Sequence, residues 1–134
     1  SWEYFSLGVI IYQLLIGVHP YSASFNKPYD EYNTLKSKIN NGLFVFGNKQ
    51  ASLRNAFVAH ERYKKLPKAL QEMFLITFDK ANSMHDIRPS EEQWGKVLSD
   101  LIFRGVFKKQ KVISIKPKRI RRNWFGNLIS FLGF

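Results

Sequence analysis

Histidine, serine and adjacent carboxylates are the side chains in this 134-residue sequence whose types could support acid–base, nucleophilic or metal chemistry. The histidines His19, His60 and His85 are too far apart for the H-x-x-x-H spacing that places two metal ligands on one helix face. No serine stands in the G-x-S-x-G context of a hydrolase nucleophile. The neighbours Glu91 and Glu92 fit the first turn of a helix, where negative charge meets the helix dipole. We therefore predict surface or capping roles for the histidines and assign no catalytic or metal-binding residue.

Glycine and cysteine patterns offer no cofactor site. The glycines form neither G-x-G-x-x-G nor the P-loop pattern, so they provide no cradle for nucleotide phosphates. The sequence contains no cysteine, which excludes a disulfide framework, a thiolate metal site and a cysteine nucleophile. We therefore predict that this chain binds no cofactor by itself.

The positive charge is concentrated at the C-terminal end. Residues 1–103 hold 12 Lys and Arg against 10 Asp and Glu, and residues 104–134 supply the other nine positive charges of the formal +11. The sequence consequently divides into a nearly neutral body, residues 1–103, and a basic tail, residues 104–134. Because 45% of the residues are hydrophobic and 16% are aromatic, we expect most of the chain to pack into one folded unit.

The basic tail joins a run of cations to an apolar helical face. Its candidate contacts for an anionic surface are Lys118, Arg119, Arg121, Arg122 and Trp124. Leu128, Phe131 and Leu132 continue the helical spacing that begins at Trp124. This pattern suits peripheral contact with an anionic membrane surface, and the same cations could instead neutralise nucleic-acid phosphates. A third interpretation is a solvated linker whose apolar end packs on the body or begins a further element.

The first helix is predicted from residues 5–16 (FSLGVIIYQLLI), which are apolar nearly all round a helical wheel. A helix of this kind is expected to be buried on all sides. A transmembrane span is the alternative, but the run is well short of the roughly 20 apolar residues that a bilayer requires. Gly17 and Pro20 are expected to end the helix.

Three or so amphipathic helices are predicted in the rest of the body. Asp30 is the expected N-cap of the first, which ends at Gly42. Pro67 is expected in the first turn of the second, and Ser90 with Gln93 forms the capping box of the third, which is expected to end at Gly105. The apolar positions of these helices are Tyr32, Leu35 and Ile39; Leu70, Met73, Phe74 and Phe78; and Trp94, Val97, Leu98, Leu101 and Ile102. Residues 43–46 could form a small strand, and residues 47–65 are expected to be a long connection with about one helical turn. The predicted fold class is all-α.

Three segments of the body resemble protein kinases. Residues 3–21, E-Y-F-S-L-G-V-I-I-Y-Q-L-L-I-G-V-H-P-Y, are similar to the D-x-W-S-L-G-x-x-x-Y-E-L-L-x-G-x-x-P-F signature, which forms the central helix of the large lobe in that family. Residues 39–44 (I-N-N-G-L-F) resemble the family's I-x-x-G-x-F, and residues 88–94 (R-P-S-E-E-Q-W) resemble the R-P-S/T that opens a late helix. H-P-Y-S-A and R-P-S-x-x-x-W also resemble bacterial kinase-like proteins that occur with helix-hairpin-helix DNA-binding modules.

The resemblance implies structural roles for two charged residues. Glu3 matches an Asp that holds the catalytic-loop backbone in the family, and its extra methylene is a departure from that pattern. Phe5 stands where the family usually has Trp, which keeps core volume without the indole N–H. Arg88 matches an Arg that pairs in the family with a Glu of the activation segment, a segment that would lie upstream of Ser1. In this chain alone, Arg88 could instead be an exposed residue before a helix.

The functional hypotheses follow from what phosphoryl transfer needs. The Gly-rich loop, anchoring Lys, catalytic Asp and metal-binding Asp or Asn of a kinase do not occur in these 134 residues, and we interpret the start at Ser1 as a truncation. The resemblance therefore implies a fragment of a serine/threonine protein-kinase-like domain, a pseudokinase-like scaffold that is not catalytic alone. One alternative is the rear half of an active kinase, which would bind ATP and Mg once completed by the missing segment or another protein chain. The other is a membrane- or nucleic-acid-binding module acting through the tail.

The resemblance also carries expectations about surface and location. A central helix without the elements that normally cover it should leave an exposed apolar patch, so the chain should be marginally stable or associate with another chain. We expect a cytoplasmic location, with peripheral membrane contact if the tail binds lipid.

Overall fold

The computed structural model describes residues 2–79 and 87–105, which form four α-helices and one two-stranded antiparallel sheet. The helices are α1 Trp2–Ile16, α2 Leu35–Asn40, α3 Lys68–Phe78 and α4 Glu91–Phe103, and the strands are β1 Ala23–Phe25 and β2 Leu53–Ala56. Short 3-10 helices cover Gln50–Ser52 and Val58–Lys65. This part of the chain is therefore mostly helical, as the sequence predicts.

The predicted stop and start signals act at the ends of α1 and α4. Gly17 has φ 96°, a conformation that suits glycine, and its N–H donates to the Gln13 carbonyl at 2.8 Å. At the start of α4, the Ser90 hydroxyl accepts from the Gln93 N–H, and the Gln93 side chain accepts from the Ser90 N–H. Gly105, with φ 73°, follows the end of α4. These predictions are confirmed.

Helix α2 begins later than predicted. Its N-cap is Thr34, whose hydroxyl accepts from the Ser37 N–H, and the Ser37 hydroxyl completes a capping box by accepting from the Thr34 N–H. The prediction of Asp30 as N-cap is wrong, and Tyr32 lies before the helix. The physical reason is that Thr34 and Ser37 satisfy two backbone donors together, whereas a lone Asp30 would satisfy one.

The sheet corrects the all-α prediction. Strands β1 and β2 pair with Ala23 opposite Ala56 and Ser24 opposite Asn55, and the register shifts between Ser24 and Phe25. Strand β2 and the two 3-10 helices occupy the stretch 47–65, for which the sequence predicts a long connection with about one helical turn. Strands of three and four residues are too short to produce a clear alternation in the sequence, which explains why the pattern missed them.

Residues 43–45 are buried and Phe46 is half-buried, but this segment does not form the predicted strand. Phe44 packs into the main core, whereas Leu43 and Val45 belong to a second cluster with Ala23 and Phe25 of β1. Neighbouring side chains of this short segment therefore pack into two different hydrophobic clusters. The four consecutive apolar residues are explained by burial in these two clusters and not by hydrogen bonding to a neighbouring strand.

The main core is a cluster of aromatic rings around Tyr12 of α1. Its ring lies edge-on to the rings of Phe44, Phe74 and Phe78, with centroids 5.9, 5.2 and 6.1 Å away. Phe74 in turn contacts Trp94 of α4 at 5.1 Å. Aromatic pairs at these separations stabilise a fold by more than the burial of their apolar area alone would. They join α1, α3 and α4 into one core.

Helix α1 crosses α3 closely and is not buried on all sides. A Cβ at Gly8 would lie 2.6 Å from Cγ2 of Thr77, so the absence of a side chain permits the close approach. The opposite face is exposed and carries Glu3, Ser6 and Gln13 together with Ile10, which is 51% exposed. The expectation of complete burial is therefore wrong, because the elements that cover α1 in this structure lie on one side.

Candidate functional site

A charged side chain meets the core at the N-terminal end of α1. Arg88, just before α4, is only 6% exposed, so the alternative of an exposed residue before a helix is wrong. Its guanidinium carbon lies 5.0 Å from the centre of the Phe5 ring and 5.8 Å from that of Trp2. Cations over aromatic faces at such distances are attracted by the ring quadrupole. Arg88 thus holds the segment before α4 against the first turn of α1.

The structure brings Glu3 and Arg88, the two residues to which the sequence resemblance gives structural roles, to the same end of α1. Glu3 is exposed in the first turn of that helix, beside Trp2, which Arg88 contacts. Burial lowers the pKa of Arg88, and nearby Tyr21 acts in the opposite direction. A guanidinium nevertheless stays protonated in proteins, so a positive charge is held at this end of the helix. Such a charge can orient an anionic group but offers no nucleophile or base.

The second polar cluster lies farther along α1, at Tyr12, and is built on His60. The imidazole is only 1% exposed, and its Nδ1 accepts a hydrogen bond from the Tyr12 hydroxyl at 2.7 Å. Its Nε2 lies 3.1 Å from the carbonyl oxygen of Ser22, which can only accept. The proton of the neutral ring is therefore on Nε2. These bonds join α1, the loop after it and the second 3-10 helix.

His19 completes this cluster as a turn cap. Its Nδ1 accepts from the Tyr21 N–H at 3.2 Å, and its carbonyl accepts from the Ser22 hydroxyl at 2.5 Å. Burial lowers the pKa of both His19 and His60; His60 lowers that of His19 further, and the Ser22 hydrogen bond partly opposes the shift at His60. The predicted capping role fits His19, whereas the prediction of a surface or cap position is wrong for His60. His85 lies outside the described residues.

The arrangement of the cluster serves structure rather than catalysis. The Ser22 hydroxyl donates a hydrogen bond to the His19 carbonyl. The oxygen of that hydroxyl is 3.4 Å from His60 Nε2, the ring nitrogen that already carries a hydrogen. A nucleophilic serine would need a base that accepts its proton. Burial also raises the pKa of Tyr12 far above neutrality, so its phenol does not exchange protons at physiological pH. We infer that these groups fix the position of α1.

The remaining predicted contacts are beyond the described part of the chain. Lys118, Arg119, Arg121, Arg122 and Trp124 all lie outside the described residues. Within residues 2–79 and 87–105, no group of three or more His, Cys, Asp and Glu residues could hold a metal ion. Among the same residues, no helix combines the length and apolar character needed to cross a membrane.

The buried hydrogen bond of Tyr12 was not predicted from the sequence. A phenol within a helix predicted to be buried must find a hydrogen-bond partner, and that rule alone signals a buried polar site. The partner could not be named, because His60 is 48 residues away in the chain. Local spacing carries no information about such a contact.

Comparisons with models of known protein families, with curated proteins and with solved structures found no match for this chain.

Proposed function

We propose that residues 1–103 are the C-terminal part of the large lobe of a protein-kinase-like domain, of the serine/threonine type, with a scaffold or interaction role. The proposal rests on three kinase-like segments in the family's order, at residues 3–21, 39–44 and 88–94. On this proposal the chain is not catalytic alone, because the residues that bind ATP and Mg in kinases are not among its 134 residues.

The contact between Arg88 and α1 is the observation that carries this proposal. The R-P-S segment and the first segment are more than 60 residues apart in the sequence, yet Arg88 packs on Trp2 and Phe5. Two segments that resemble one family are therefore joined by a buried cation. A positive charge at this end of α1 also suits the role that the resemblance implies, which is to receive a carboxylate from a preceding kinase segment.

An ATP-binding measurement separates the non-catalytic fragment from an enzyme. The thermal unfolding midpoint of the 134-residue chain would be recorded with and without Mg and ATP, because a ligand that binds the folded state raises the midpoint. We expect no change for this chain and an increase for a longer product of the same gene if the complete protein is an active kinase. An increase, or phosphate transfer, with the 134 residues alone would contradict the proposal.

The interaction role is tested by the association state. An apolar side chain such as Ile10 on the open face of α1 is available to a covering segment or another chain. We expect light scattering to show association, or thermal unfolding to be weakly cooperative, in the absence of that partner. A monomer with a sharply cooperative transition would contradict this role.

The basic tail favours a second candidate function. Nine of the eleven net positive charges lie in residues 104–134, and this concentration suits an anionic membrane surface better than a packed core. Nucleic acid is the other anionic partner, and a cytoplasmic location with peripheral membrane contact belongs to the same proposal. Removing residues 106–134, which leaves the Gly105 helix stop in place, should abolish association with anionic vesicles. Binding that survives this deletion, with neutral vesicles as control, would refute a role for the tail.

A further inference from the structure

An open cavity of about 330 Å³ lies beside the β1–β2 sheet; its lining shares Ser22 with the His60 cluster and does not include Arg88. Its lining consists of Ser22, Ala23, Ser24, Lys38, Asn55, Ala56 and Phe57. Among the residues that the structure describes, the lining contains one cation, hydroxyl groups and an amide, and no carboxylate. This composition favours a negatively charged ligand.

The polar groups of the cavity are brought together by strand register. Ala23 and Phe25 of β1 are buried, so Ser24 between them faces the other side of the sheet, where Asn55 is its cross-strand partner. Lys38 of α2 is half-buried at the same cavity. Three elements thus place a hydroxyl, an amide and an ammonium group around one space.

These three groups are available to a ligand. Within the part of the chain that the structure describes, the side chains of Ser24, Asn55 and Lys38 make no hydrogen bond to protein, and Lys38 forms no ion pair. A half-buried ammonium gains most from an oxyanion that supplies a charge-assisted hydrogen bond. A hydroxyl and an amide can donate further hydrogen bonds to the same oxyanion.

The rim of the cavity indicates a peptide rather than a small anion. Phe57, which lines the cavity, is 63% exposed, and the adjacent Val58 is 84% exposed. An apolar pair beside a polar cavity fits a ligand that presents an anionic side chain next to apolar ones. The described sheet has two strands, so each strand has an edge at which an extended segment can pair.

We propose that this cavity binds an extended acidic segment of another protein, with the oxyanion of a carboxylate or phosphoryl side chain held by Lys38, Ser24 and Asn55. Phe57 and Val58 contact the apolar neighbours of that side chain. The proposal does not depend on kinase descent, because it uses residues outside the contact between Arg88 and α1.

Fluorescence anisotropy of labelled peptides tests the proposal. The probes are extended peptides Gly-Thr-Val-Thr-X-Thr-Val-Thr-Gly, in which X is Glu, phosphoserine or Gln, added to the 134-residue chain. We expect the Glu or phosphoserine peptide to bind more tightly than the Gln peptide, and the comparison of the two anions identifies the source of the oxyanion. An equal affinity for all three, or no binding up to about 1 mM, would overturn the proposal.

Two lysines of α2 provide a matched pair of variants. Lys38→Ala removes the ammonium of the cavity, whereas Lys36→Ala removes the same charge from an exposed residue outside its lining. Lys38→Ala should weaken binding of the anionic peptide by about tenfold or more, and Lys38→Arg should restore much of it. Lys36→Ala should have little effect. Equal losses in the two Ala variants would show a nonspecific charge effect and overturn the site.

Amide chemical shifts distinguish local binding from unfolding. Circular dichroism would establish that Lys38→Ala keeps the helical content of the unmodified chain. In that chain, the anionic peptide should shift the amide signals of Ser24, Lys38 and Asn55 more than those of Arg88 or Trp94. Shifts concentrated at Arg88 would assign the peptide to the other end of the molecule and contradict the proposal.

Discussion

The substitution Gly8→Ala tests the close crossing of α1 and α3. A Cβ at this position would lie 2.6 Å from Cγ2 of Thr77 and 3.4 Å from Cζ of Phe78. Contacting carbons prefer about 3.5–4.0 Å, so the first separation is about 1 Å too short. Thr77 is fully buried, and its hydroxyl donates to the Met73 carbonyl at 2.7 Å, so it cannot easily rotate away. We expect the added methyl to push the helices apart.

The expected magnitude is a difference between two opposing terms. Ala is favoured over Gly within a helix by about 1 kcal/mol, whereas forcing a methyl into a packed core costs about 1–3 kcal/mol. Gly8→Ala should therefore lower the free energy of unfolding by about 0–2 kcal/mol. Gly95 of α4 provides the matched control, because a Cβ there would meet nothing within 4 Å. Gly95→Ala should raise the free energy of unfolding by about 0.5–1 kcal/mol.

Urea unfolding followed by circular dichroism measures both variants, with coincident transitions by fluorescence as the check on two-state behaviour. Thr77→Ser removes Cγ2 but keeps the hydroxyl that donates to Met73, so it makes room for the methyl group that Gly8→Ala adds. The double variant should be more stable than the sum of the single effects predicts. If Gly8→Ala stabilises the chain as much as Gly95→Ala does, the close crossing of α1 and α3 is refuted.

Three further predictions concern the two polar clusters. Tyr12→Phe should lower the free energy of unfolding by about 1–3 kcal/mol, because it leaves the buried Nδ1 of His60 without the hydroxyl that donates to it at 2.7 Å. A decrease in that free energy of less than about 0.5 kcal/mol, measured by urea unfolding, would contradict this. Burial lowers the pKa values of His19 and His60, so just below the unfolded-chain histidine pKa of about 6.5 the unfolded chain binds more protons than the folded one. The free energy of unfolding should therefore be highest above that pH and fall as the pH decreases below it. A thermal unfolding midpoint that rises on acidification would be inconsistent with this. Arg88→Ala should lower the thermal unfolding midpoint more than Arg88→Met, because both variants lose the cation but Met refills more of the buried space beside Phe5. Equal midpoints would argue against a contribution from packing at this site.

Helix ends and periodic apolar faces could be predicted because their signals are local. Ser90 and Gln93 are three residues apart, and Gly17 and Gly105 adopt the positive φ that their positions suggested. Helix α3 begins at Lys68, and Pro67 is its N-cap, one position from the predicted first turn. In these cases the residues that determine the structure lie within one or two turns of each other.

Features that depend on distant contacts could not be predicted. Strand β1 is short, and it exists because β2, about 30 residues later, supplies its hydrogen bonds. His60 is buried because Tyr12 and Ser22 provide partners for both ring nitrogens. The cavity at Lys38 could not be predicted either, because α2 and the two strands that line it are distant in the sequence. Tertiary contacts override local preference in each case.

The burial of Arg88 was implied by the sequence only in part. The R-P-S resemblance implied a structural role, but the proposed partner was a residue upstream of Ser1. In the structure, rings of α1 contact the guanidinium at 5.0 and 5.8 Å. These rings lie on α1, the helix that contains the first kinase-like segment, although neither Phe5 nor Trp2 was predicted to contact Arg88.

Sequencing the gene upstream of the codon for Ser1 tests the proposed kinase descent most directly. We predict that the same reading frame continues upstream and encodes the preceding part of a kinase-like domain, including a segment that ends in a carboxylate able to meet Arg88. A Gly-rich loop, an anchoring Lys and a catalytic Asp in that frame would favour an active enzyme, whereas their loss from a kinase-like frame would favour the scaffold. A stop codon shortly before Ser1, or an upstream sequence unrelated to kinases, would contradict the proposed descent.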